Sequence, residues 1–164
     1  MKKIMMLICG AVLLLSTSCI KGPSSSGSSE GNFEGKLVVT DMASGEVTYS
    51  DDKASVSVVI PDITETMLEI TFNGVKFAAA MPVALNIQLT DIPFTMTVNE
   101  EENSINYIFD AENIIPEGYD EQRLINRVWG NIGKSKVEIS FTMESRNSQV
   151  TFTATGNNNT TPAN

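Results

Sequence analysis

The sequence contains no histidine and only two cysteines, Cys9 and Cys19. Without histidine there is no imidazole for acid/base catalysis, no Ser-His or Cys-His nucleophile pair and no imidazole metal cluster. Basic residues are few, eleven Lys and Arg against twenty Asp and Glu, for a net charge of −9. A surface that acidic repels phosphate backbones, which excludes nucleic acid as an expected partner. Aromatics are sparse at 7%. There is no Gly-rich phosphate loop and no Ser-x-x-Lys pair. What is present is a 41% apolar composition over 164 residues, enough for the core of one domain.

The front of the chain reads as an address. Lys2 and Lys3 precede an apolar run from Ile4 to Leu15, too short to span a bilayer but of the length of a signal-peptide h-region. The stretch Leu15-Ser16-Thr17-Ser18-Cys19 resembles a bacterial lipoprotein lipobox, in the Ser/Thr-rich form similar to lipoprotein signals of the Bacteroides group. The resemblance implies cleavage before Cys19 and acylation of that residue, and so a membrane-anchored partner surface on the outer membrane, periplasmic or surface-facing. Cleavage without lipidation is the alternative.

Cysteine usage fits this reading. Cys9 leaves with the signal peptide, so Cys19 is the sole cysteine of the mature chain and no internal disulfide is available. Acylation would cap an otherwise reactive thiol. Loss of Lys2 and Lys3 leaves nine basic residues against twenty acidic ones, a net charge of −11. Such a protein depends on its lipid, not on electrostatics, to stay at a membrane.

The chain then divides into a signal peptide over residues 1–18, an acylated cysteine and Gly/Ser tether over 19–31, a folded domain over 32–156 and a polar Asn/Thr tail over 157–164, expected to be disordered. The domain is ruled by two-residue alternation. Apolar side chains occupy every other position in residues 56–60, 68–72, 85–89, 94–98, 137–143 and 150–154, with weaker strands at 33–39, 46–49 and 104–109. Breaks fall at Gly45, Asp51-Asp52, Pro61-Asp62, Asn73-Gly74, Pro82, Pro93, the 99–103 stretch and Asn147-Ser148. Eight or nine short strands mean an all-β antiparallel fold, a single small barrel or a β-sandwich, with the barrel favoured because closure removes exposed edges. Residues 111–133 lack clean alternation. They read either as a short helix capped by Asp120, with Leu124, Ile125 and Val128 on one face, or as an extended crossing.

Four stretches, in order, resemble the calycin-like, lipocalin-like β-barrel lipoproteins of Bacteroides and relatives: Phe33-Glu34-Gly35-Lys36-Leu37, then Val75-Lys76-Phe77-Ala78 with Met81-Pro82-Val83, then Glu112-Asn113-Ile114-Ile115-Pro116, and finally residues 150–156. The resemblance implies a calycin-like barrel and carries over no catalytic residues. True lipocalins open with Gly-x-Trp where this chain has Gly31-Asn32-Phe33, so two interiors stay open: a deep calyx, or a barrel filled with its own side chains.

Candidate chemistry is limited. Glu100, Glu101 and Glu102 read as a solvated hairpin tip before they read as a calcium contact. Asp51 and Asp52 read as a β-turn. Glu112, Glu117, Asp120 and Glu121 lie near Arg123 and Arg127 in a polar stretch, with nothing to desolvate a catalytic acid. No enzyme, cofactor or metal is expected. Trp129, Tyr107, Tyr119, Phe109 and Phe77 are the candidate lining of a pocket for a small apolar or sugar-like ligand, with Trp129 and residues 111–133 at its rim. A structural or accessory role in an outer-membrane complex, contacting an envelope protein, is the alternative.

Overall fold

A computed structural model describes residues 29–60, 66–101 and 103–155. The signal segment, Cys19, most of the tether and the polar tail lie outside the described residues. Ser29, Glu30 and Gly31, which composition assigns to the tether, are already strand.

Eight strands follow one another: β1 (Ser29–Asp41), β2 (Val47–Ile60), β3 (Met67–Val75), β4 (Leu85–Asn99), β5 (Ser104–Ile114), β6 (Ile125–Ile132), β7 (Lys136–Met143) and β8 (Ser148–Thr155). Each pairs antiparallel with the next, and β8 returns to β1 through Lys36–Thr153 to Asp41–Ser148. That last pairing closes the sheet and decides for a barrel over a sandwich.

Most of the alternating apolar positions turn into the barrel interior. Leu37, Val56, Ile70, Phe72, Leu89, Val137, Ile139, Val150 and Phe152 are fully buried. Each such side chain contributes about 1.5–3 kcal/mol by leaving water. Phe72 and Phe141 meet edge to face at 5.2 Å between ring centres, and Phe77 adds a second edge at 5.8 Å. The middle of the barrel is therefore filled with its own side chains.

Several expected strand breaks are bulges inside longer strands. Asp51-Asp52 lies within β2, where two residues, Asp52 and Lys53, oppose the single Lys36 of β1 between the Gly35–Ala54 and Leu37–Asp51 pairs. Lys53 N donates to Asp51 Oδ1 at 2.9 Å, and the side chain thus supports a bulge and not the expected turn. Asn73-Gly74 is a second bulge, with Gly74 at φ +58° and its N–H donating to Asn86 Oδ1. Residues 85–89 and 94–98, expected as two strands, are one strand, kinked where Asp91 takes a left-handed backbone (φ 56°). Pro93 is accommodated beside the end of β3.

The 111–133 stretch is mostly sheet. β5 runs through it to Ile114 with Asn113 at φ 59°, and β6 resumes at Ile125. Helix is confined to one 3₁₀ turn, Glu121–Arg123, where Asp120 accepts from Gln122 N. Leu124 ends that turn, while Ile125 and Val128 are buried in β6, so of the two readings of this stretch the amphipathic helix does not form.

Candidate functional site

The two ends of the barrel differ. At one end the 42–46 and 144–147 turns are tied together by Asp41. Its Oδ1 accepts from Ala43 N and Ser44 N, and its Oδ2 accepts from Asn147 Nδ2 at 2.9 Å. These hydrogen bonds, that from Ser44 N foremost, hold the Asp41 carboxyl below its ordinary pKa. Phe77 and Tyr119 pack against the core at this end, and Tyr119 Oη donates to Asn86 O.

The other end is a mouth framed by two ribbons. β8 pairs with β1 only from Lys36 onward, so the first part of β1 has β2 alone as its neighbour. Gly35 sits where the ribbon leaves, because a Cβ there would run into the Thr153 carbonyl oxygen. Opposite it, β3 pairs with β4 only as far as Pro93, and β6 pairs with β5 only from Tyr107. The β4–β5 hairpin therefore projects beyond both neighbours.

The inward face of this hairpin stays apolar after it leaves the barrel. Phe94 opposes Phe109, Met96 opposes Tyr107 and Val98 opposes Ile105. Phe94 and Phe109 are 5% and 2% exposed, whereas Met96, Ile105 and Val98 are 46%, 47% and 75% exposed. The Tyr107 ring stands edge-on to Phe94 at 5.3 Å.

Between the ribbons lies a cavity of about 390 Å³. Its walls are Gly31, Phe33, Val58 and Ile60 from one ribbon, Ile105 and Tyr107 from the other, and Ile132 from β6. Polar groups, Asn103, Ser104 and Lys134, come from the two turns at its edge. The chemistry on offer is therefore a largely apolar wall, aliphatic side chains with the Phe33 and Tyr107 rings, and a polar lip, the general make-up of a small-ligand pocket.

The five aromatic candidates are not brought together. Tyr107 lines the mouth, and Phe109 lies one step deeper as core. Phe77 and Tyr119 belong to the opposite end. Trp129 is on the outer wall, between Asp110 and Ser140 in register. Of Trp129 and residues 111–133, expected at the rim, only Ile132 and Gly133 reach this mouth, while Pro116, Arg123 and Ile125 line a smaller pocket at the opposite end. The cause is packing inside the wall. A Cβ on Gly130 would come within 2.7 Å of the Phe109 ring, so residue 130 faces the interior and its neighbour Trp129 faces out.

Outside, Arg127 binds Asp110 through Nε–Oδ1 at 2.9 Å and Nη2–Oδ2 at 2.6 Å, and its guanidinium lies 5.1 Å from the Trp129 ring centre. The Arg127 hydrogen bond lowers the pKa of Asp110, and Asp110 in turn raises that of Arg127. Glu100 and Glu101 occupy the hairpin tip, where Glu101 N donates to Asn99 Oδ1. Among the described residues no three Asp, Glu or Cys side chains converge as a metal site would require.

Phe33, Val58, Ile60, Ile105 and Ile132 are the mouth residues that the aromatic list misses. Their signal in the sequence is positional: inward apolar residues that continue to the last step before a polar turn. No protein-family model, curated protein or solved structure matches the chain. The eight-stranded antiparallel barrel is consistent with a calycin-like fold.

Proposed function

We propose that the chain is a cell-envelope lipoprotein, held at the outer membrane by Cys19, whose barrel is a non-catalytic binding module for a small apolar ligand. The observation that carries the binding reading is the aliphatic cavity of about 390 Å³ between two projecting ribbons. Its wall favours an apolar ligand over a sugar-like one, because a sugar needs hydrogen-bond partners along its length and here they stand at the lip alone. The lipoprotein reading rests on residues 1–19.

Thermal-shift measurements on the full chain with a panel of aliphatic alcohols, fatty acids and saccharides test this. Stabilisation that grows with alkyl length, and none by saccharides, is the expected result. A flat response to the whole panel would remove the reading.

A second reading draws on Met96, Val98 and Ile105, whose exposure is large for apolar side chains on one hairpin face. In it the hairpin contacts an envelope protein, as an accessory component of a membrane complex. Recovery of the same stoichiometric partner from detergent-solubilised envelopes, lost in Val98→Lys, would favour it.

A further inference from the structure

We propose that the mouth shelters one acyl chain carried by Cys19 of the same molecule. This rests on the lipoprotein reading above. β1 begins at Ser29 on the ribbon whose Gly31 and Phe33 line the cavity, so the chain enters the barrel beside the mouth and not at the end that holds Phe77 and Tyr119. Cys19 is ten residues before Ser29. Ten residues, whatever their conformation, reach no further than about 33–36 Å. The lipid is thereby confined to the neighbourhood of the cavity at high effective concentration.

The lining suits a hydrocarbon chain. The side chains of Phe33, Ile60, Ile105 and Ile132 offer only carbon to an occupant, with the polar groups of Asn103, Ser104 and Lys134 at the edge. The acidic tip argues against the mouth pressing flat on a bilayer instead. Glu100 and Glu101 stand at the hairpin tip, and pressing it into a bilayer would carry their carboxylates out of water. A single chain folded into the mouth avoids that conflict.

Sheltering one chain has a functional consequence. Lipoprotein anchoring is stable with two or more acyl chains and marginal with one. With two chains on Cys19, withdrawal of one into the barrel leaves the marginal single-chain anchor, and a competing apolar ligand returns that chain to the membrane. The pocket then couples ligand binding to anchoring.

The test uses the full chain from a host that acylates lipoproteins, grown on ¹³C-labelled fatty acid and exchanged into nanodiscs of unlabelled phosphatidylcholine. Nuclear Overhauser contacts from the labelled chain to the methyls of Ile60, Ile105 and Ile132 are expected. They should vanish in Ile105→Arg, with its β-type circular dichroism retained. Contacts of the labelled chain with nanodisc lipid alone overturn the proposal, as does an intact mass showing Cys19 unmodified. A Cys19→Ala chain titrated with cis-parinaric acid separates the two readings. Uptake of one probe per chain beside lipid-only contacts in the acylated protein removes self-sheltering and leaves the ligand pocket standing. No uptake, together with lipid-only contacts, removes both.

Discussion

Asp110 of β5 and Arg127 of β6 stand diagonally across the strand pair, Asp110 opposite Trp129 and Arg127 opposite Glu112, and join through two hydrogen bonds on the outside of the barrel. Both side chains are 51% exposed, so solvent screens the pair and its effect on stability is modest. Its pH dependence is nonetheless definite. The folded-state pKa of Asp110 lies below the ordinary 3.8, so its contribution is complete above that value and lost as pH falls through the lower folded value. The difference in Tm between the parent and Asp110→Asn should be constant above about pH 5 and shrink below pH 4. A difference that grows on acidification would refute this assignment.

Phe72 is fully buried and meets Phe141 edge to face. Phe72→Ala should cost about 3–5 kcal/mol, the usual range for emptying such a site. Denaturant titration should show a lower midpoint with an unchanged slope. A loss under about 1 kcal/mol would mean that the interior is not tightly filled.

Gly130 tests the geometry that puts Trp129 outside. A methyl group there meets the Glu138 carbonyl and the Phe109 ring. Gly130→Ala should therefore destabilise by about 1–3 kcal/mol through overpacking. Neutral behaviour would mean that β6 and Phe109 are arranged otherwise.

The alternation of apolar residues made the all-β class and most strands legible, because a half-buried strand has to repeat every two residues. Asp51-Asp52, Asn73-Gly74 and Pro93 misled because turns and bulges use the same residues: both need a left-handed or kinked backbone, and only the partner strand decides which forms. Asn113 hid the end of β5 for the same reason. The site was less legible. Aromatic side chains mark burial without stating which end or face of a barrel they occupy. Trp129, Phe77 and Tyr107 therefore looked equivalent and lie on the outer wall, at the end opposite the mouth and in the mouth. The projecting hairpin depends on where β3 and β6 stop pairing, a relation between distant segments.

Ile105 is 47% exposed on the hairpin and lines the mouth. Ile105→Arg should change stability by no more than about 0.5 kcal/mol, as surface substitutions do. It should also abolish stabilisation by aliphatic alcohols in the thermal-shift assay. Loss of binding accompanied by a large fall in Tm would show instead that Ile105 supports the fold.

The central claim is that the mouth between the ribbons, and no other part of the barrel, takes the ligand. Titration of the ¹³C-labelled Cys19→Ala chain with 1-decanol, followed by NMR, tests it most directly. The account predicts saturable shifts at Phe33, Ile60, Ile105, Tyr107 and Ile132, with the Trp129 indole and the Phe77 ring unmoved. Shifts centred on Trp129 or on Phe77 and Tyr119, or none at any of these positions, would contradict it.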